Sequence, residues 1–232
     1  MNARLLAFCL RSLYREYGAA FLRRVVLPHP VATLRGIARF LRQPSAGPAA
    51  WRGGWGSLVG VGFCLKPLSR ACPAGRANHD CTLFESGLHL GEGAWPAPCQ
   101  DCLIRVIGQQ ALAAASTLYV MTSAQDILFD VLLPALEARR FTHAVLTICR
   151  FSFEPIRLAL AIAGVEAQLI PFVHGDCREY ATWRRADIGD KPEQTALEQA
   201  SLMELQETLS RAAQDDPPHR RFRKTGNLFE PE

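Results

Sequence analysis

The chain has 232 residues, about half of them apolar and a fifth charged, which excludes wholesale disorder and allows a core that needs no cross-links. Its net charge of +4 is unevenly spread: before Asp80 the only acid is Glu16, set against twelve Arg and Lys side chains. No apolar run approaches the ~18 residues of a membrane span, and Leu5–Leu10 is too short and too closely flanked by arginine for a signal peptide.

The front of the chain, residues 1–43, reads as basic and helical. Leu6, Leu10, Leu13, Tyr14, Tyr17 and Phe21 recur at helical spacing over 4–27, with arginines between them, until Pro28 and Pro30 stop the run. A second short helix is expected over 31–41 on Leu34, Ile37 and Leu41. Such a pair either packs on the domain with solvated arginines or docks on an acidic protein partner or an anionic membrane surface. No aromatic-rich recognition motif accompanies the arginines, so nucleic acid is not the expected partner.

A Pro/Gly/Trp-rich linker follows over 44–57, and then a regular core over 58–190. Leu58–Phe63 reads as a strand ending at Cys64, and a long irregular stretch runs to Pro98. Asp101–Ala115 reads as a helix, Thr117–Thr122 as a strand and Ala124–Arg140 as a helix with an internal Pro134. His143–Cys149 reads as a strand, Glu154–Ala163 as a helix ended by Gly164, and Ala167–Val173 as a strand. This alternation predicts an α/β protein with a parallel sheet of about four strands and flanking helices. A C-terminal helix is expected over 191–214, carried by Pro192–Ala213, and a disordered tail over 215–232.

Eight cysteines are many for a chain expected in the cytoplasm, at most peripheral to a membrane, because disulfides are disfavoured there. Cys64 and Cys149 end predicted strands, Cys177 follows another, and Cys99 and Cys102 bracket a helix start. Cys72 and Cys81 lie in the loop between. All seven are therefore expected at the carboxyl edge of the sheet, where α/β proteins place ligands, with Cys9 outside.

About 34 residues separate Cys64 from Cys99, and an irregular loop that long is expected to be functional or tied down. Metal–thiolate bonds would tie it down. P-C-Q-D-C is the CxxC bite of zinc and iron–sulfur sites, but no second CxxC completes a zinc ribbon and the bacterial ferredoxin spacing is absent. Seven thiols exceed the four ligands of one structural zinc. The ligand pool Cys64, Cys72, Cys81, Cys99, Cys102, Cys149 and Cys177 thus favours an iron–sulfur cluster, [4Fe–4S] first, with zinc as the alternative. His79, Asp101, His174 and Asp176 are near enough in sequence to complete a site.

The order of these features resembles a family of cysteine-rich proteins known as domain of unknown function 116. The features are a strand ending in Cys64, Arg70–Ala74 (R-x-C-P-A), and the Cys99–Cys102 pair opening a helix. They continue with Thr122–Ser123 after a strand, Cys149 with Glu154 soon after, and Gly175-Asp176-Cys177 followed by Asp187. The resemblance covers roughly residues 58–190 and implies a metal or iron–sulfur site, with no reaction attached.

Three functional readings are compatible with these residues. The first is an iron–sulfur protein in electron transfer or cofactor maturation. The second is a metal-free thiol–disulfide oxidoreductase using Cys99 and Cys102, because a CxxC at a helix N-terminus lowers a thiol's pKa. The third is a zinc-stabilised adaptor that docks through its basic helices. His174 beside Cys177 is a weak nucleophilic pair, since sequence neighbours seldom face each other.

Overall fold

The computed structural model describes residues 18–42, 53–54, 56–68, 71–86, 95–213 and 221–232. Cys9, Arg70, the first half of the 4–27 helix, most of the 44–57 linker and part of the long loop lie outside the described residues.

Six strands form one mixed sheet: β1 (Ser57–Gly62), β2 (Thr117–Met121), β3 (His143–Ile148), β4 (Glu166–Pro171), β5 (Phe222–Thr225) and β6 (Leu228–Pro231). Their order is β4-β3-β1-β2-β6-β5. The first four are parallel, in registers such as Gly62 with Met121, Gly60 with Leu146 and Ile148 with Pro171. The helices are α1 (Ala19–Phe21 continued by Leu22–Val26), α2 (Pro30–Arg42) and α3 (Leu103–Ala113). They continue with α4 (Ala124–Ile127, Leu128–Leu132 and Leu133–Ala138 end to end), α5 (Phe153–Ala163), α6 (Tyr180–Asp187) and α7 (Gln199–Ala213).

Two expectations are corrected here. The sheet has six strands rather than four, and the tail expected to be disordered carries a hairpin. β6 pairs antiparallel with β2 and β5 with β6, and Phe222, Leu228 and Phe229 are buried. The tail's apolar residues are few, but they find a ready-made edge in β2. Phe222 and Phe229 pack against each other and against Phe84 in edge-to-face pairs. The final helix also begins later than expected, at Gln199, because Ala196 bridges to His174.

Each sheet face carries its own core. Leu58, Tyr119, Ala144, Leu146 and Leu169 pack with Val131, Leu132, Leu160 and Ala163 of α4 and α5. Val59, Val61, Leu118, Val120 and Val145 pack with Ile104, Ile107, Leu205 and Leu209 of α3 and α7. The alternation of neighbours such as Leu58 and Val59 between the two faces is the period-two signature of a strand buried on both sides.

α2 is seated on α5. Gly36 lies so close to Ile162 that an added Cβ would come within 2.3 Å of its Cα, and the Arg157 guanidinium sits 3.7 Å over the Phe40 ring. The helix thus buries Thr33, Gly36 and Phe40 and leaves Val31, Leu34, Ile37 and Leu41 exposed, with Arg35, Arg39 and Arg42 alongside. No helix among the described residues is long and apolar enough to cross a membrane.

The topology fixes where a ligand can sit. The chain leaves β1 towards β2 on one side and leaves β3 towards β4 on the other, so the order reverses between β1 and β3. The two strands pair only as far as Gly60 and Leu146, and beyond that the Gly62 N–H is taken by the Thr147 hydroxyl at 3.3 Å. A crevice opens there, at the topological switch point of the sheet.

Candidate metal centre and thiol crevice

The structure divides the seven expected cysteines into two groups. Cys72, Cys81, Cys99 and Cys102 line one hollow with Lys66, Asp80 and Arg105. Cys64, Cys149 and Cys177 line the crevice at the switch point, together with Lys191. All seven are free of disulfides.

The first group is assembled from three short pieces of chain. Cys72 stands in the turn after Ala71, with its carbonyl accepting from Gly75 N–H at 2.9 Å. Cys81 caps the single turn Thr82–Glu85, and Cys102 caps α3, each in extended backbone. The N–H groups of Leu83 and Phe84 face the Cys81 sulfur, and those of Ile104 and Arg105 face the Cys102 sulfur. Cys99 is buried in the turn Ala97–Gln100, whose carbonyls are gripped by Arg105, Nε to Cys99 O at 2.7 Å and Nη2 to Gln100 O at 2.7 Å.

Burial dominates the acidity of these thiols. It pushes Cys81 up to about 12 against the pull of the Phe84 and Leu83 amides, and it raises Cys99 and Cys102 as well, with their thiol neighbours adding to the rise. Neither Cys99 nor Cys102 is thus lowered in the way that a CxxC pair at a helix N-terminus is expected to be.

Lys66 is the feature that sequence reasoning missed. It is 1% exposed, and its ammonium donates to Gly75 O at 3.0 Å, Asn78 O at 3.0 Å and Asn78 Oδ1 at 2.5 Å. All three partners are neutral; burial pulls the Lys66 pKa down, and Cys72, Cys81, the Asp80 carboxylate and Cys102 lie within electrostatic reach and oppose that fall. A compact ammonium with three donors suits such a nest of carbonyls better than a planar guanidinium does. Of 26 basic residues only three are lysines, and Lys66 and Lys191 both stand directly before proline, a signal legible in hindsight.

The other expected ligands are occupied elsewhere. His79 Nδ1 donates to Val120 O at 2.8 Å, and its Nε2 faces Thr122 Oγ1 at 3.1 Å and Asp126 Oδ2 at 3.5 Å, which pins the loop to the end of β2. Asp101 and His174 are exposed. Asp176 is buried beneath Arg150 and Arg178. Among the described residues no three His, Cys, Asp or Glu side chains stand together as a single metal ion requires. A tetrahedral zinc holds sulfurs about 3.8 Å apart, from bonds of about 2.3 Å, whereas a cluster of several irons spreads its thiolates more widely.

The second group sits at strand ends. Cys64 follows β1, Cys149 follows β3, and Cys177 lies beyond β4. The Cys177 side chain and backbone N–H are both hydrogen-bonding partners of the Cys149 sulfur. These contacts with the Lys191 ammonium bring the Cys149 thiol below its usual value, whereas the bond to Cys149 and burial push Cys177 up against the pull of Lys191. Burial raises Cys64 to about 11. Cys149 is half-buried, whereas Cys64 and Cys177 are buried at 6% and 1% exposure. Lys191 is 4% exposed, and its carbonyl accepts from Arg76, which also reaches Glu193 O at 2.6 Å and Cys64 O at 3.4 Å. One arginine thereby ties the loop of the first group to the strap over the second.

Compared with family models, with curated proteins and with solved structures, the chain matches none.

Proposed function

We propose that this is a metal-binding protein of the α/β class whose centre is held by Cys72, Cys81, Cys99 and Cys102. An iron–sulfur cluster serving electron transfer or cofactor maturation is the first reading. The observation that carries it is four thiols from three chain segments around one hollow, beside a buried ammonium bonded only to neutral oxygens. A buried cation needs compensation, and a thiolate-ligated centre with net negative charge supplies it. The N–H groups facing Cys81 and Cys102 favour the same charge, and four sulfur donors are the set that zinc and iron–sulfur centres share. The resemblance to the family called domain of unknown function 116, which rests on the same cysteines, implies such a centre and is part of the proposal.

Zinc is the second reading: the hollow that the thiols line is about 20 Å³, the size of one ion, although the thiols do not stand together as one ion requires. In either case the chain's own residues supply four anionic ligands, a neutralising Lys66 and a wall that keeps water off Cys99. Docking through the basic front remains part of the proposal, to an anionic membrane surface or an acidic protein. The exposed stripe Val31, Leu34 and Leu41 beside Arg35, Arg39 and Arg42 is an amphipathic face of the kind that lies on charged interfaces.

Anaerobic purification followed by an absorption spectrum and analysis for iron, sulfide and zinc tests the reading. Iron with matching sulfide and visible absorption, lost in Cys99→Ser and Cys102→Ser, is the expected result. Zinc at one per chain selects the second reading. A folded protein free of both metals overturns both.

A further inference from the structure

We propose that Cys149 and Cys177 form a separate thiol–disulfide exchange site in the switch-point crevice, in which Cys149 attacks a small uncharged disulfide and Cys177 resolves it. The proposal stands apart from the metal reading, because none of the four thiols assigned to the centre takes part.

Placement is the first observation. A crevice of about 110 Å³ opens between the carboxyl ends of β1 and β3, where open α/β sheets bind ligands. Its walls are largely apolar, with Met121, Ile127, Ile156, Phe172 and Trp183 around the thiols. A flat apolar substituent next to the sulfur–sulfur bond suits such walls, and a charged one does not.

Asymmetry of the pair is the second observation. Both thiols line the crevice, but Cys149 is half-buried, whereas Cys177 is buried at 1% exposure and within hydrogen-bonding reach of the Cys149 sulfur. An accessible thiol backed by a shielded one in contact is the arrangement that exchange needs: the first meets the substrate and the second meets only the mixed disulfide. Lys191, nearly sealed from water and 3.8 Å from the exposed Glu193 carboxylate, places a positive charge beside both sulfurs and favours thiolate over thiol during the transfer. The carboxylate of Asp176 opposes it, but Arg150 and Arg178 face that group at 4.0 and 3.4 Å.

The reaction balances without a further reagent. The Cys149 thiolate attacks one sulfur of R–S–S–R, the S–S bond breaks, and R–S⁻ leaves and takes a proton. Cys177 gives up its proton, its sulfur attacks Cys149 Sγ, and the second R–S⁻ leaves and is protonated. The protein dithiol is oxidised by two electrons to the Cys149–Cys177 disulfide, and R–S–S–R is reduced to two R–SH.

The test treats the full-length, anaerobically purified protein with dipyridyl disulfide, following thione release and then mapping the modified cysteines by mass spectrometry. The wild type is expected to release two equivalents of thione in its fast phase and to yield a peptide pair joined through Cys149 and Cys177. Cys177→Ser should release one equivalent and keep a pyridyl adduct on Cys149, and Cys149→Ser should lose the fast phase. A fast phase that survives Cys149→Ser, or that maps to other cysteines, overturns the proposal. So does loss of bound metal in Cys149→Ser or Cys177→Ser, which would make these side chains ligands. Should a variant fail to fold, the wild-type peptide map decides alone. Failure of the metal reading shows separately, in the metal content of Cys99→Ser.

Discussion

At the scale of single residues, two buried lysines explain more about this protein than its cysteine spacings do. Lys66 donates all its protons to neutral oxygens beside four thiols. Lys66→Met should therefore take the donor away from the Gly75 and Asn78 carbonyls, while Asn78 Oδ1 keeps the Asp80 N–H, costing about 1–3 kcal/mol in a thermal or urea unfolding experiment. On the proposed function the same variant should bind metal more weakly, because a thiolate-ligated centre would lose its counter-charge. Unchanged metal occupancy would show that the ammonium has no electrostatic part in the site. The two thiol groups also differ in reactivity. Cys149 is lowered by the Cys177 donors, whereas Cys81, Cys99 and Cys102 are raised, chiefly by burial. Competitive alkylation of metal-stripped protein near neutral pH should thus label Cys149 ahead of Cys99 and Cys102, with Cys81 slowest of the four. This order reverses the expectation from the CxxC motif alone. The motif is visible in the sequence, but the burial that silences it is set by α3 and the loop around it.

At the scale of elements, the parallel strands and their helices were legible because their apolar periodicity is strong and their lengths ordinary. Pro134 was no obstacle to α4: the helix widens over Leu128–Leu132, where Leu133 N–H reaches back to Leu128 O. The hairpin β5–β6 was not legible, since its few apolar residues lie among charges and depend on β2 and Phe84 for burial. Lys224 locks it to the cysteine loop by bonding Asp80 and Glu85. The bond from Lys224 holds the Asp80 carboxyl below its usual range, and the two carboxylates hold Lys224 above its own despite burial. For Asp80 the folded pKa is depressed, so its stabilisation is present above the unfolded value near about 3.9 and is lost as the pH falls through the folded one. For Lys224 the folded pKa is raised, so its share is present below about 10.4 and is lost as the pH rises beyond. Stability should therefore show a shoulder below about pH 4 that Lys224→Met removes, measurable as acid unfolding midpoints. An identical acid limb in the variant would contradict the lock. At the other end of the chain, Gly36 admits no side chain against Ile162. Gly36→Val should cost about 1–3 kcal/mol in unfolding free energy and loosen α2, detectable as faster amide exchange over 30–42. A variant as stable as the wild type would mean that α2 is not seated on α5.

At the scale of the whole molecule, the carboxyl edge of the sheet gathers the cysteines as β-α-β topology requires, but it gathers them in two places. The expectation of one ligand pool followed from topology, which puts strand ends on one edge without saying how far apart they stand. The separation arises because β1 lies between its partners. Cys64 and Cys149 follow the splayed strands β1 and β3, while the long loop carries Cys72 and Cys81 across to the start of α3 near Cys102. No spacing in the chain encodes that distance, and Arg76, which bridges the loop and the strap, is an ordinary arginine until its partners are known.

The central proposal is that Cys72, Cys81, Cys99 and Cys102 hold metal and that Cys64, Cys149 and Cys177 do not. Native mass spectrometry of the anaerobically purified full chain, with Cys102→Ser and Cys149→Ser beside it, tests that division most directly. The account predicts a metal-bearing mass for the wild type and for Cys149→Ser, and its loss in Cys102→Ser. Metal retained in Cys102→Ser and lost in Cys149→Ser would contradict it.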